Sequence, residues 1–307
     1  MADGSGRPAT LNARAEAAAA EAAREAKAEV LEQSPPVAEP AARATTRAKS
    51  AGKAKDDPWH RFMLDVWITN FNSIEFGIYK HSRNKAKSRQ FTSDMDIYAE
   101  ITEDGERTGL LGYREDLWKK KTGMDKRLVF KLFGEKLNWH ATMDLMIGRS
   151  LQLTLGAHGL PVICYSLNCG DHEQMVYLER SAHKWPLMPE CFSFFVMEDG
   201  LPRFYRLQRA FINLGGDYSL IDRNGKVIGH LDGKVFSIGG KWKGSILREY
   251  ADKRLLMVLK LFCGMLIFNG ECRRHIRSLA HDVEAGRIEP KLERQEAELY
   301  MNPRRVR

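Results

Sequence analysis

DKRLLMVLKLFCGMLIF, residues 252–268, is the stretch on which the fold turns. At helical spacing Leu255, Leu256, Met257, Val258, Leu259, Leu261, Phe262, Met265, Leu266, Ile267 and Phe268 point in every direction, and Lys260 is the only charge among them. A helix apolar around its whole circumference must be covered on all sides. From Leu255 to Phe268 the apolar run is 14 residues, whereas a membrane-crossing helix needs roughly 20. It therefore reads as a core helix, and no transmembrane span is expected. Each large apolar side chain contributes roughly 1.5 to 3 kcal/mol when fully buried, which makes this helix a principal source of stability. A closed or nearly closed sheet threaded by the helix would cover it.

The sequence before the helix supplies such a sheet. Laying the segment from Phe91 over the segment from Phe211 puts Phe91, Tyr98, Ile101, Gly105 and Gly109 on Phe211, Tyr218, Ile221, Gly225 and Gly229, without a gap. Asp104-Gly105 and Asn224-Gly225 are hairpin-turn dipeptides between alternating runs, so each copy reads as strand, tight turn, strand. Further on, Asp125-Lys126-Arg127-Leu128 with Lys131-Leu132-Phe133-Gly134 is echoed by Asp252-Lys253-Arg254-Leu255 with Lys260-Leu261-Phe262 and Gly264. Leu214-Gly215-Gly216 with Tyr218 recurs as Ile238-Gly239-Gly240 with Trp242; glycine pairs mark tight bends between strands. Leu151–Leu155, Val162–Leu167, Met175–Leu178 and Phe192–Met197 read as further short strands. The expectation is a mainly β fold with a central helix (α+β), a duplicated barrel spanning 90–287 with halves at about 90–160 and 204–287.

Outside this body, residues 1–56 are rich in Ala, Glu, Lys and Arg and nearly devoid of large apolar side chains; they cannot offset their ordering entropy by burial and read as a disordered tail. Asp57, an N-cap residue, precedes Pro58, suited to a first helical position. Trp59, Phe62, Met63, Val66, Trp67 and Phe71 then recur at helical spacing, predicting an N-terminal amphipathic helix within 57–89, followed by a basic linker with Lys80, His81, Arg83, Lys85, Lys87 and Arg89. Residues 288–307 form a basic C-terminal tail.

The segment FYRLQRAFINLGGDYSLIDRNGKVIGHLDGKVFSIGGKW, residues 204–242, together with the apolar helix after it, resembles the LURP-one-related proteins, a branch of the tubby C-terminal-like superfamily that also contains phospholipid scramblases. The resemblance implies a twelve-stranded barrel of two similar halves around a hydrophobic helix. For some members it implies binding to phosphoinositides or anionic membranes, and for one branch scramblase activity. It implies no catalytic residue. The cysteine-rich palmitoylation segment of scramblases is missing here, and in Asp222-Arg223-Asn224-Gly225 the glycine arrives too early for a calcium loop.

The chain carries 48 Lys and Arg against 40 Asp and Glu, a net charge of +8, and five cysteines. An odd number of cysteines inside apolar stretches favours a reducing compartment. Acids at positions 16, 21, 25 and 29 do not suit an organellar transit peptide, so a cytoplasmic location is expected, with peripheral contact at the inner membrane face. Cys164, Cys169, His172 and Cys191 lack the spacing of a zinc knuckle and read as structural, as does Cys263. Asp171-His172 and His281-Asp282 have no accompanying serine motif. No catalytic residue, metal or cofactor is expected.

The basic features carry the functional reading. Trp118-Lys119-Lys120-Lys121 and Lys241-Trp242-Lys243 each set an indole among ammonium groups, a pairing suited to a lipid headgroup layer. With Lys80, Arg83, Lys85, Lys87 and Arg89 they make up the candidate surface for anionic phospholipid. The alternative is a protein-interaction scaffold that holds its partner with Trp59, Phe62, Met63, Val66 and Trp67. Nucleic-acid binding ranks third, because no recognition motif accompanies the cations.

Overall fold

The computed structural model describes residues 57–66, 95–170, 174–182, 188–198, 200–210, 216–234, 240–291 and 296–297, all of which belong to one compact unit. Twelve antiparallel strands close into a barrel: β1 (Trp59–Val66), β2 (Met95–Glu103), β3 (Glu106–Arg114), β4 (Val129–Gly134), β5 (Trp139–Leu145), β6 (Ile163–Cys169), β7 (Val176–Arg180), β8 (Cys191–Glu198), β9 (Leu201–Arg209), β10 (Tyr218–Asp222), β11 (Val227–Lys234) and β12 (Lys241–Leu247). Each strand pairs with its neighbour in sequence, and β1 joins β12 with Trp59 opposite Leu247. Closure removes the unpaired edges of an open sheet. Short helices α1 (Glu115–Lys119) and α2 (Ile147–Gly156) follow β3 and β5, and the long α3 (Lys253–Glu284) ends the barrel sequence.

With β1 drawn upward from Trp59 to Val66, α3 starts at the lower mouth, just after β12. Its N-terminus is capped by Asp252, whose carboxylate accepts from the amides of Arg254 at 2.8 Å and Leu255 at 3.2 Å. The helix then rises through the interior. Leu255, Val258, Leu259, Leu261, Phe262, Cys263 and Met265 are fully buried in one cluster that also takes inward side chains from all twelve strands. Lys260, the charge in the apolar run, donates to Glu103 at 2.7 Å, and Glu103 also meets His60 at 3.0 Å. Gly264 lets the helix approach β2 and β3: a Cβ there would lie 2.4 Å from the Tyr98 hydroxyl and 2.7 Å from Leu111 Cδ1. Near the upper mouth Phe268 meets the rings of Tyr98, Tyr113 and Phe130.

At 32 residues α3 is roughly 48 Å long, far more than a strand of seven to nine residues covers. Its upper half emerges from the barrel, where Ile276, Leu279 and Ala280 share the core cluster with Ile147 and Leu151 of α2. The observed helix is thus longer than the apolar run predicts, and by length and composition it is apolar enough to cross a membrane. Within the barrel 72% of its most apolar window is buried. Glu296 closes this end, accepting from the first amides of α2, Gly148 at 2.9 Å and Arg149 at 2.7 Å.

Three expectations change. Over residues 59–66 the predicted amphipathic helix is a strand: Phe62, Leu64 and Val66 point inward with period two, and this strand supplies the pairing that closes β2 onto β12. Asp57 still accepts the Trp59 amide at 3.1 Å, but at a strand entrance. Leu151–Leu155 lies in α2, not in a strand, with Ile147, Leu151 and Thr154 on its buried side. The echo of residues 125–134 in 252–264 joins a strand, β4, to a helix, α3, so it marks no structural repeat.

The hairpin match does hold locally. β2–β3 turns through Asp104 and Gly105, both in the left-handed region at φ 51° and 89°, as a two-residue primed turn demands. β10–β11 turns with Gly225 at φ 81°, its amide bonded to Asp222 O at 3.1 Å. These hairpins lie eight strands apart in order, however, where two equal halves of a twelve-strand barrel would place them six apart. Phe91 and Phe211, the proposed tail 1–56, Trp67, Phe71 and the basic run fall outside the described residues, as do all but Glu296 and Ala297 of the segment beyond Lys291.

Candidate functional site

Alternation along the strands sorts the expected site residues. In β12, Trp242, Gly244 and Ile246 face inward while Lys241, Lys243 and Ser245 face outward. Trp242 packs against the core cluster, and the two lysines sit on the opposite face. The indole is thus separated from its ammonium neighbours, because adjacent residues of a strand point to opposite sides. Trp118 is also interior: it is 2% exposed, donates to Glu271 at 3.1 Å, meets Phe268 edge-on and carries the Lys126 ammonium 4.2 Å above its ring. Trp118 is thus a core side chain, and Trp242 is partly buried against the core. The partner stripe divides in the same way. Phe62 and Val66 are inside the barrel, while Met63 faces outward and Trp59 lies beside His230 at 6.3 Å. Lys80, Arg83, Lys85, Lys87, Arg89 and Trp67 lie outside the described residues.

The lysines themselves remain on the surface. Lys119, Lys120 and Lys121 follow β3 at the upper mouth, and Lys241 opens β12 at the same mouth. β3, β2, β1 and β12 are consecutive neighbours, so about 15 Å of sheet separates the two groups. Lys119 bonds Glu115 at 2.8 Å, which raises its pKa to about 12. Lys241 bonds Asp65 at 3.0 Å. Among the described residues Lys120 and Lys121 have no ion-pair partner.

Inside the same mouth lies a polar cluster that sequence reading misses. Arg180, 1% exposed, pairs with Glu190, 5% exposed; Glu190 also accepts from the Tyr218 hydroxyl at 2.7 Å and from Asn269 of α3 at 3.0 Å, and Arg180 donates to Pro161 O at 2.8 Å. Burial pushes the Glu190 carboxyl up, but the Arg180 charge and these donors outweigh it and hold its pKa at about 2. The cluster ties β7, β8, β10 and α3 together. Glu190 accepts from three side chains on three different elements, so the cluster reads as a structural clamp. Nothing local signals it, except that Asn269 interrupts the apolar run. The thiols behave likewise: all five are free, and burial drives those of Cys164 and Cys272 up to about 12 and that of Cys263 higher still, far from a reactive thiolate.

One open groove of about 540 Å³ lies on the outer face across β11, β12, β1 and the β2–β3 turn, with Arg61, Met63, His230, Asp232, Lys243 and Ser245 among its walls. Only Lys243 and Met63 of this set were expected site residues. The others are legible only once closure makes β1 and β11 the two neighbours of β12. Comparisons of the chain with protein-family models, with curated proteins and with solved structures each find no match.

Proposed function

We propose that this chain is a non-enzymatic barrel of the tubby C-terminal-like kind that associates peripherally with anionic phospholipid at the cytoplasmic membrane face, presenting its upper mouth. The supporting observation is that exposed Lys119, Lys120 and Lys121, which follow β3, and part-exposed Lys241, which opens β12, stand at that mouth. The closed antiparallel barrel with an apolar helix through it agrees with the family resemblance of residues 204–242. Cations near an anionic surface contribute on the order of 1 kcal/mol each, so these four give roughly 4 kcal/mol at most, a millimolar interaction that is reversible and salt-sensitive. The pairing of Lys119 with Glu115 and of Lys241 with Asp65 lowers that figure, and Lys120 and Lys121 carry most of it.

Co-sedimentation of the full chain with vesicles tests this reading. Binding to vesicles with about one-third phosphatidylserine, little binding to neutral ones at physiological salt, and loss of the difference in Lys120→Glu/Lys121→Glu support it. Equal binding to both vesicle types removes it.

A further inference from the structure

The outer groove has a charge pattern that the surface lysines do not explain. Its floor is two rows of outward side chains set by strand register. In one, Asp232 stands opposite Lys243, Lys243 opposite Met63 and Met63 opposite Thr102. In the other, His230 stands opposite Ser245 and Ser245 opposite Arg61, with Asp104 of the β2–β3 turn beyond. The rows run in opposite senses: acid then cation from the β11 side, cation then acid toward the β2 side. Two cations therefore occupy the middle of the groove and a carboxylate stands at each end.

Cross-strand neighbours this close usually pair. Among the described residues, however, Lys243, Asp232 and Asp104 have no ion-pair partner, although Arg61 bonds Asp57. Asp232 and Lys243 stand opposite each other in register without an ion pair, so both charges face the groove. A simple dianion would be drawn to Arg61 and Lys243 but repelled by the two carboxylates. A ligand carrying both signs answers the cations and a carboxylate together.

We propose that this groove binds a small zwitterion. Its phosphate or carboxylate lies between Lys243 and Arg61, within reach of the Ser245 hydroxyl. Its ammonium, about one strand spacing away, roughly 5 Å, meets Asp232, which stands directly opposite Lys243. Apolar atoms of the ligand lie on Met63. The site is separate from the upper-mouth lysines and does not depend on the membrane reading.

The experiment is a calorimetric titration of the full chain with phosphoethanolamine, inorganic phosphate and ethylamine, alongside neutral vesicles displaying the phosphoethanolamine headgroup. Phosphoethanolamine is expected to bind about tenfold or more tightly than either fragment. Lys243→Ala and Asp232→Asn, both at exposed positions with unchanged melting expected, should each weaken it by about tenfold or more, as loss of one charge-assisted bond does. Lys120→Glu/Lys121→Glu should leave the titration unchanged, which separates this site from the membrane surface. Binding of free phosphoethanolamine assigns a soluble ligand; binding confined to the vesicles, and lost in the same two variants, assigns the same chemistry to a lipid. Inorganic phosphate binding as well as phosphoethanolamine, a full-strength Asp232→Asn variant, or no binding of either form of the headgroup overturns the proposal.

Discussion

The ring of Phe262 in α3 meets the ring of Tyr218 in β10 edge-on, with centroids 5.2 Å apart and planes at 88°. Phe192 of β8 approaches the same Phe262 at 5.0 Å. The hydroxyl of Tyr218 then reaches Glu190, so a single side chain joins the apolar interior to the buried ion pair. This contact captures the design of the molecule: the helix is the core, and the strands are its container.

Two glycines of α3 should respond in opposite ways to alanine. Gly264→Ala drives a methyl group into the Tyr98 hydroxyl and Leu111 and should cost about 1 to 3 kcal/mol, as overpacking does. At Gly270 nothing lies within 4 Å of the added Cβ, so Gly270→Ala should raise stability by up to about 1 kcal/mol through helix propensity. Urea unfolding of the two variants reads both.

Glu190→Gln leaves Arg180 buried without its counter-charge and should cost about 3 to 5 kcal/mol at neutral pH. The folded-state pKa of Glu190 lies below its unfolded value of 4.5, at about 2. Its contribution is therefore complete above about pH 4.5 and is lost as pH falls toward 2. The stability gap between wild type and Glu190→Gln should be narrower at pH 3 than at pH 7.

His275 titrates in a higher window. Burial, together with the nearby Lys126 charge, lowers its pKa from 6.5 to about 4 where it lies edge-on to Trp118. The folded state thus favours the neutral ring, a contribution present above pH 6.5 and lost as pH falls through 4. His275→Phe should flatten the decline in stability over that interval, measured as unfolding free energy against pH.

Leu259 is fully buried, whereas Ile267 is 41% exposed. Leu259→Asp places a carboxylate in a dry core at a cost of several kcal/mol and should abolish folding. Ile267→Asp should yield a soluble, cooperatively melting protein. Melting curves of the pair decide whether the helix is surrounded as described.

Sequence periodicity reveals the parts of this fold that depend on local pattern. The circumferential apolarity of Leu255–Met265 and the glycine turns at Gly105 and Gly225 are readable, as are the strands around Val162–Leu167, Met175–Leu178 and Phe192–Met197. The segment from Trp59 misleads because Phe62 and Val66 satisfy two periods at once. Leu64, fully buried but off the helical stripe, is the residue that discriminates. Leu151–Leu155 misleads because Leu-Gln-Leu-Thr-Leu alternates with the period of a strand, although the helix buries Leu151 and Thr154. Lys119–Lys121 are legible as surface charge, whereas the indoles beside them are not legible as core, since facing depends on register. Arg180 with Glu190, and Asp232 with Lys243, become neighbours only through strand pairing that no local pattern encodes.

Amide hydrogen exchange of α3 in detergent-free buffer tests the central claim most directly. If the helix is the enclosed core of a closed barrel, the amides from Leu255 to Met265 exchange only through global unfolding, with a free energy equal to that from urea denaturation. Exchange of these amides well below that energy, or protection that arises only when lipid is added, would contradict it.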